Sequence, residues 1–149
     1  MNADFLKIKD NNSGDFTEYK NHNEALDYLG CEYIYNDHKF IQRTSKITPK
    51  KSGQFVTLWK RDLKGLTIPF QYSDDFEGVV IISMKDRHIG HFLFSKKVLI
   101  EKGILTSLKE GKRGFRVYPD WDRPTSKQAL KTQSWQLKYF SSDLILKVV

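Results

Sequence analysis

The sequence predicts a single mixed α/β domain of the α+β kind, in which a central mixed β-sheet is flanked by helices. Three observations predict it. Val79-Val80-Ile81-Ile82 is an unbroken β-branched run, the pattern of a strand covered on both faces. On each side of that run lies a hairpin signal with a short polar turn, Asn36-Asp37-His38 in one and Asp86-Arg87-His88 in the other. A helix signal near the end of the chain follows Pro124 at Thr125.

Taken in order, residues 2–10 read as a short helix with Phe5, Leu6 and Ile8 apolar, broken by Asn11–Gly14. Cys31 begins strand-like sequence, and Tyr33-Ile34-Tyr35 pairs with Phe40-Ile41 across the first polar turn. A basic loop, SKITPKKSGQ, is punctuated by Pro49 and Gly53 and leads to Phe55–Trp59, a strand or short helix. The Val79 run turns back into Ile89–Phe94. Residues 96–105 hold a helical Val98-Leu99-Ile100 segment ending at Gly103, and KEGKRGFRVYPDW is a Gly-rich basic loop entering a strand. Thr125-Ser126-Lys127-Gln128 matches a capping box. Along the helix that follows, Leu130, Gln133, Leu137 and Phe140 fall on one stripe, expected to pack on the sheet. Lys127, Lys131, Trp135 and Lys138 fall on another, expected to face outward.

With 149 residues, 39% apolar and 13% aromatic, the chain can bury a core and is expected to be one domain over residues 1–149. No run approaches the roughly 18 apolar residues of a membrane span. MNADFLKIKDNN has no apolar leader segment, and Cys31 stands alone, which excludes an internal disulfide framework. A cytoplasmic protein is the expectation.

The formal charge of +7 is unevenly spread. Residues 1–37 hold eight acidic side chains against three basic, residues 38–64 eight basic against one acidic, and residues 96–138 eleven basic against four acidic. A basic excess also describes any well-hydrated surface, but clustering favours a polyanion, whose neutralised phosphates release counterions. A membrane surface would recruit a basic amphipathic helix, and the N-terminal region is acidic. Nucleic acid is the expected partner.

Motifs for catalysis are sparse. His22, His38, His88 and His91 form no metal-binding pair of standard spacing, and no nucleophile elbow, phosphate-binding loop or dinucleotide fingerprint occurs. Gly111 and Gly114 resemble a phosphate-cradling turn only loosely. No metal and no cofactor is expected. A metal-dependent nuclease would need an acid on one strand and a second acid two residues before a lysine on the next. Asp74 or Asp75 could be the first, yet Ser83-Met84-Lys85 and Phe94-Ser95-Lys96 each supply the lysine without the acid.

Binding features are richer. Trp59 precedes Lys60-Arg61, Arg113 and Arg116 flank Phe115, Tyr118 and Trp121 follow, and Trp135 lies between Lys131 and Lys138. Aromatic rings interleaved with cations suit single strands, whose bases stack while their phosphates pair with Lys or Arg. The alternative for each tryptophan is a core anchor.

The motifs TPKKSGQFVTLWKRD, Pro69-Phe70, Ser73-Asp74-Asp75, GHFLFSKKVLIEKGI and GKRGFRVYPDWDRPTSKQALKTQSWQLKYF resemble, in order and spacing, those of the MepB family of small bacterial proteins, encoded beside a multidrug efflux pump. The resemblance is strongest over residues 46–140, and residues 1–30 read as a variable N-terminal arm. It implies a restriction-endonuclease-like, PD-(D/E)xK-like core and a nuclease slot at Asp75 and Lys96 in which Phe94 replaces the metal-binding acid. The combined expectation is a non-catalytic nucleic-acid-binding protein with a degenerate site. It should prefer RNA or single-stranded DNA over duplex DNA, bind almost independently of sequence, and be sensitive to salt. The expected contacts are Lys46, Lys50, Lys51, Trp59, Lys60, Arg61, Arg113, Arg116, Trp121, Lys127, Lys131, Trp135 and Lys138. An active nuclease using rearranged Asp74, Asp75, Glu77 and Lys96, or a basic module for an acidic protein partner, are the alternatives.

Overall fold

In the computed structural model, which describes residues 1–148, a six-stranded mixed sheet runs in the order β1-β2-β3-β8-β9-β11. Its strands are β1 (Phe16–Asn21), β2 (Cys31–Tyr35), β3 (His38–Thr44), β8 (Gly78–Lys85), β9 (His88–Ser95) and β11 (Phe140–Ser141). The β2–β3 and β8–β9 hairpins are the two that the sequence predicts. Asn36 and Asp37 both take positive φ, 48° and 70°, as a two-residue turn between right-twisted strands requires. The hairpins join side by side through parallel pairing of β3 with β8, from Phe40↔Gly78 to Thr44↔Ile82. This one parallel pair makes the sheet mixed.

Both faces of that sheet are covered, which explains the unbroken apolar run in β8. Val79 and Ile81 face one core with Phe92, Phe94, Leu99 and Val117. Val80 and Ile82 face the other with Phe5, Ile8, Tyr33 and Leu144. Helix α1 (Ala3–Asp10) covers the second face. The segment read as a variable arm is thus built into the fold. Asn2 caps α1 by accepting from Phe5 N at 2.7 Å, and buried Asp4 accepts from Thr44 Oγ1 at 2.7 Å. Asn12 holds the C-terminal segment through Leu144 O and Leu146 N.

On the first face sit α2 (Lys96–Glu101), α3 (Lys127–Gln136) and a three-stranded sheet, β10-β5-β4. The strands of this smaller sheet are β4 (Lys46–Ile47), β5 (Gln54–Thr57) and β10 (Gly114–Val117). Phe55–Trp59 is strand rather than helix, split between β5 and β6 (Trp59–Arg61), and β6 pairs with β7 (Thr67–Pro69) as a separate hairpin. Strands β1, β4, β7 and β11 have no counterpart in the sequence reading: Phe16–Asn21 is an exposed edge with only Phe16 and Tyr19 turned inward, Lys46–Ile47 falls in the expected basic loop, and Thr67–Pro69 contains a proline. Phe140–Ser141 pairs with β9 where the closing helix is expected to continue, since α3 ends at Gln136.

Two features of α3 differ from expectation. Its N-cap is Ser126, whose hydroxyl accepts from Ala129 N at 3.1 Å, so Gln128 sits one position early for a capping box. Its packing face is also rotated. Leu130 is 48% and Leu137 37% exposed, while Ala129 and Gln136 are buried, and Trp135 packs on the core 5.4 Å from Phe94. The cause is Gln136. Its Oε1 accepts from Tyr118 N at 2.8 Å and its Nε2 donates to Arg116 O at 2.9 Å. The side chain thereby continues the ladder of edge strand β10, and that polar requirement, invisible to apolar periodicity, sets the helix rotation. Replacing Gln136 by Leu leaves both backbone groups buried and unpaired. The expected loss is about 2–4 kcal/mol of unfolding free energy, read by urea denaturation, with no change for Leu130→Gln.

Candidate nucleic-acid interface

The chain between β4 and β5 is the basic loop Thr48–Gly53, and it lies against the end of β10 by the action of one side chain. Arg116 donates from Nη2 to Thr48 Oγ1 at 2.7 Å, to Ser52 O at 3.0 Å and to Gly53 O at 3.3 Å, and from Nε to Ser52 O at 3.2 Å. Gly53, at φ 77°, lies under the Tyr118 ring, where a Cβ would come within 2.6 Å of ring carbons. A left-handed backbone and a close ring together require glycine here.

Between this loop, β10, the end of α2 and the face of α3 is a cleft of about 640 Å³. Its walls present Lys50, Lys51, Lys102, Lys112 and Arg116, with Phe115, Tyr118 and Trp135 among them. Thr125, Ser126, Gln128 and Thr132 add hydrogen-bonding groups. No Asp or Glu lines it. None of its four lysines has a carboxylate partner among the described residues. Lys102 Nζ stands over the Trp135 ring at 5.1 Å from its centroid, a cation–π contact.

The structure brings Lys50, Lys51, Arg116 and Trp135 together as expected. Lys127, Lys131 and Lys138 are exposed, on the helix row that contains Trp135, and border the cleft-lining face of α3. The other expected contacts lie elsewhere. Lys46 Nζ covers the Tyr28 ring at 4.7 Å. Trp59, Lys60 and Arg61 belong to the β6–β7 hairpin, where Arg61 lies over Trp59 at 5.3 Å and Lys60 pairs with Asp74. Arg113 reaches the same hairpin through Thr67 O at 3.1 Å. Trp121 is covered on one face by His88, at 5.1 Å and 17°, and met edge-on by Phe140. Lys102 and Lys112 are cleft residues that the sequence reading missed. Lys112 was legible in the basic GKRG loop, whereas Lys102 follows an ambiguous helix and carries no local signal.

The carboxylates considered for a nuclease are engaged separately. Asp74 accepts from Lys60 and from Gln71 N at 2.8 Å, Asp75 is exposed with Lys39 3.8 Å away, and Glu77 pairs with His38. Lys96 donates to the carbonyls of Tyr72 and Asp74 and lies over the Phe76 ring at 4.7 Å, so it secures the 72–76 loop. Phe94, in the acid's slot, is 0% exposed inside the first core. Among the described residues, no group of three or more His, Cys, Asp or Glu side chains is placed to hold a metal ion.

Burial perturbs several titratable groups, raising the Asp122 carboxyl beside the Pro119–Pro124 segment against the opposing charges of Lys85 and Arg116. Burial pushes the Cys31 thiol up to about 11 and brings the Arg43 guanidinium down to about 10. His91, whose Nδ1 donates to Asp143 O at 2.6 Å, is lowered by burial. Burial and the nearby Arg43 charge lower His22.

Fold and cleft define a small α+β protein whose distinctive surface is a cation-lined, acid-free groove beside a mixed sheet. A family model described as MepB-like matches residues 22–142. This chain belongs to the MepB-like family. A crystal structure of MepB is 33% identical and superposes with a TM-score of 0.84, covering 95% of this chain and 97% of that one. No curated protein matches the sequence.

Arg116→Lys keeps the cleft's charge but removes the guanidinium fork that grips three loop acceptors. Amide exchange across residues 48–53 is expected to accelerate about tenfold, as the loss of roughly 1–2 kcal/mol of local hydrogen bonding requires, while exchange in β8 stays unchanged.

Proposed function

We propose that this protein binds nucleic acid in the cleft between the 48–53 loop, β10 and α3, without cleaving it. A single strand, RNA or DNA, is preferred over duplex DNA. The observation that carries the reading is the lining itself: five cations and no carboxylate around three aromatic side chains. Cations without a carboxylate partner among the described residues attract phosphates at no cost in broken ion pairs. Phe115 and Tyr118 are buried in the wall and Trp135 is half-buried, so Trp135 is the ring offered to a base, and an unpaired base has the free face to stack upon it. Phosphate attraction and ring stacking do not depend on base identity, so affinity should vary little with sequence.

Lys96 and Phe94 support binding without cleavage, one being tied to loop carbonyls and the other to the core. A low-salt titration of labelled single-stranded RNA, single-stranded DNA and duplex DNA, followed by magnesium and a denaturing gel, tests all parts of the proposal. Both single strands should bind more tightly than the duplex, and all products should remain intact. Changing Lys50, Lys51 and Lys112 together to Gln should flatten the slope of log affinity against log salt by about 2, near 0.7 per lost phosphate contact on a single strand. Magnesium-stimulated cutting, duplex preference, or a salt slope unmoved by the triple variant would each overturn the corresponding part.

A further inference from the structure

We propose that a strand bound in the cleft continues across the Pro119–Pro124 segment to a second stacking site, where the ring of His88 receives a base and Arg87 and Arg123 receive its phosphates. The proposal rests on the cleft reading and extends it.

His88 opens β9 at the tip of the β8–β9 hairpin and is exposed. An exposed ring at a hairpin tip would ordinarily sample several rotamers, yet this imidazole lies nearly parallel to the Trp121 indole, at 17° and 5.1 Å. Trp121 is in turn fixed edge-on by Phe140, 5.8 Å away at 76°, and Phe140 packs on core Phe92 at 4.8 Å. The stack therefore runs from the core outward. Trp121 Nε1 is buried with no acceptor among the described residues, so packing alone orients the indole. The outer face of His88 is left as the flat end of this column.

A depression of about 520 Å³ adjoins the stack, with Arg87 and Arg123 on its walls and Asp120 its one acid. Neither arginine has a carboxylate within ion-pair distance among the described residues. Arg123 instead donates to the Asp120 carbonyl at 3.2 Å, which places its charge beside the stack. The two linings have no residue in common, but the chain from Tyr118 to Ser126 runs from one to the other. Tyr118, Thr125 and Ser126 line the cleft, and Asp120, Trp121 and Arg123 between them line the depression. A flexible single strand can follow that segment from one to the other more readily than a stiff duplex. Base stacking on a ring is tolerant of sequence, and imidazole is among the rings that single strands use.

Fluorescence polarisation with end-labelled oligouridine of about 4 and about 12 nucleotides, lengths that bracket the smaller single-strand sites, tests the extension. The longer probe should bind the unaltered protein more tightly. His88→Ala should weaken the longer probe about tenfold, the cost of losing one stacked base, and leave the shorter probe unchanged. His88→Phe should restore the longer probe's affinity. If both probes bind equally and His88→Ala alters neither, the strand ends in the cleft and the extension is wrong while the cleft reading stands. If neither probe binds, the cleft reading fails and the extension falls with it.

Discussion

A buried knot of three polar side chains joins the two sheets, and the position of the cleft depends on it. Ser45 continues the β3–β8 ladder by donating its backbone N–H to Ile82 O at 2.9 Å. Its hydroxyl donates to Gln54 Oε1 at 2.7 Å and can accept from Ser83 Oγ at 2.6 Å, while Gln54 Nε2 donates to Met84 O at 3.1 Å. All three residues are buried, so each group must find its partner inside the protein. At this point the chain leaves the large sheet to build the small one. Gln54 then fixes how β5 leans on β8, β5 carries β10, and β10 carries Arg116 and the Gln136 bridge to α3. The walls of the cleft are thus set by satisfied backbone and amide groups and by the Arg116 fork, while its lysines only line it.

That division of labour explains why charge can accumulate there. The lysines of the cleft contribute little to folding, because none of them has a carboxylate partner among the described residues, and their mutual repulsion is screened by solvent. Aromatic residues do the reverse. Phe94, Phe115 and Trp135 meet around the first core, so the rings that face the groove are also anchored in the interior.

The fold was legible where one residue pattern answered to one constraint. The Val79–Ile82 run and the Asn36-Asp37 turn read directly as a strand covered on both faces and a tight hairpin. The orientation of α3 did not, because Gln136 acts as a surrogate strand residue and overrides the apolar stripe through Leu130 and Leu137. The candidate site was half legible. Lys50, Lys51, Arg116 and Trp135 stood out as basic and aromatic sequence and do converge. Trp59, Lys60, Arg61 and Arg113 carried the same local signal, yet the β6–β7 hairpin places them apart, a consequence of pairing that composition does not encode. Lys102 reaches the cleft only because α2 ends beside Trp135.

Backbone amide chemical-shift mapping by NMR during titration with a short oligouridine addresses the central claim most directly. Binding in the cleft should concentrate the perturbations in residues 48–53, 112–118 and 125–136, with saturation at one strand per protein. Perturbations confined to the β6–β7 hairpin around Trp59–Arg61, or none at concentrations where a basic groove must fill, would contradict it.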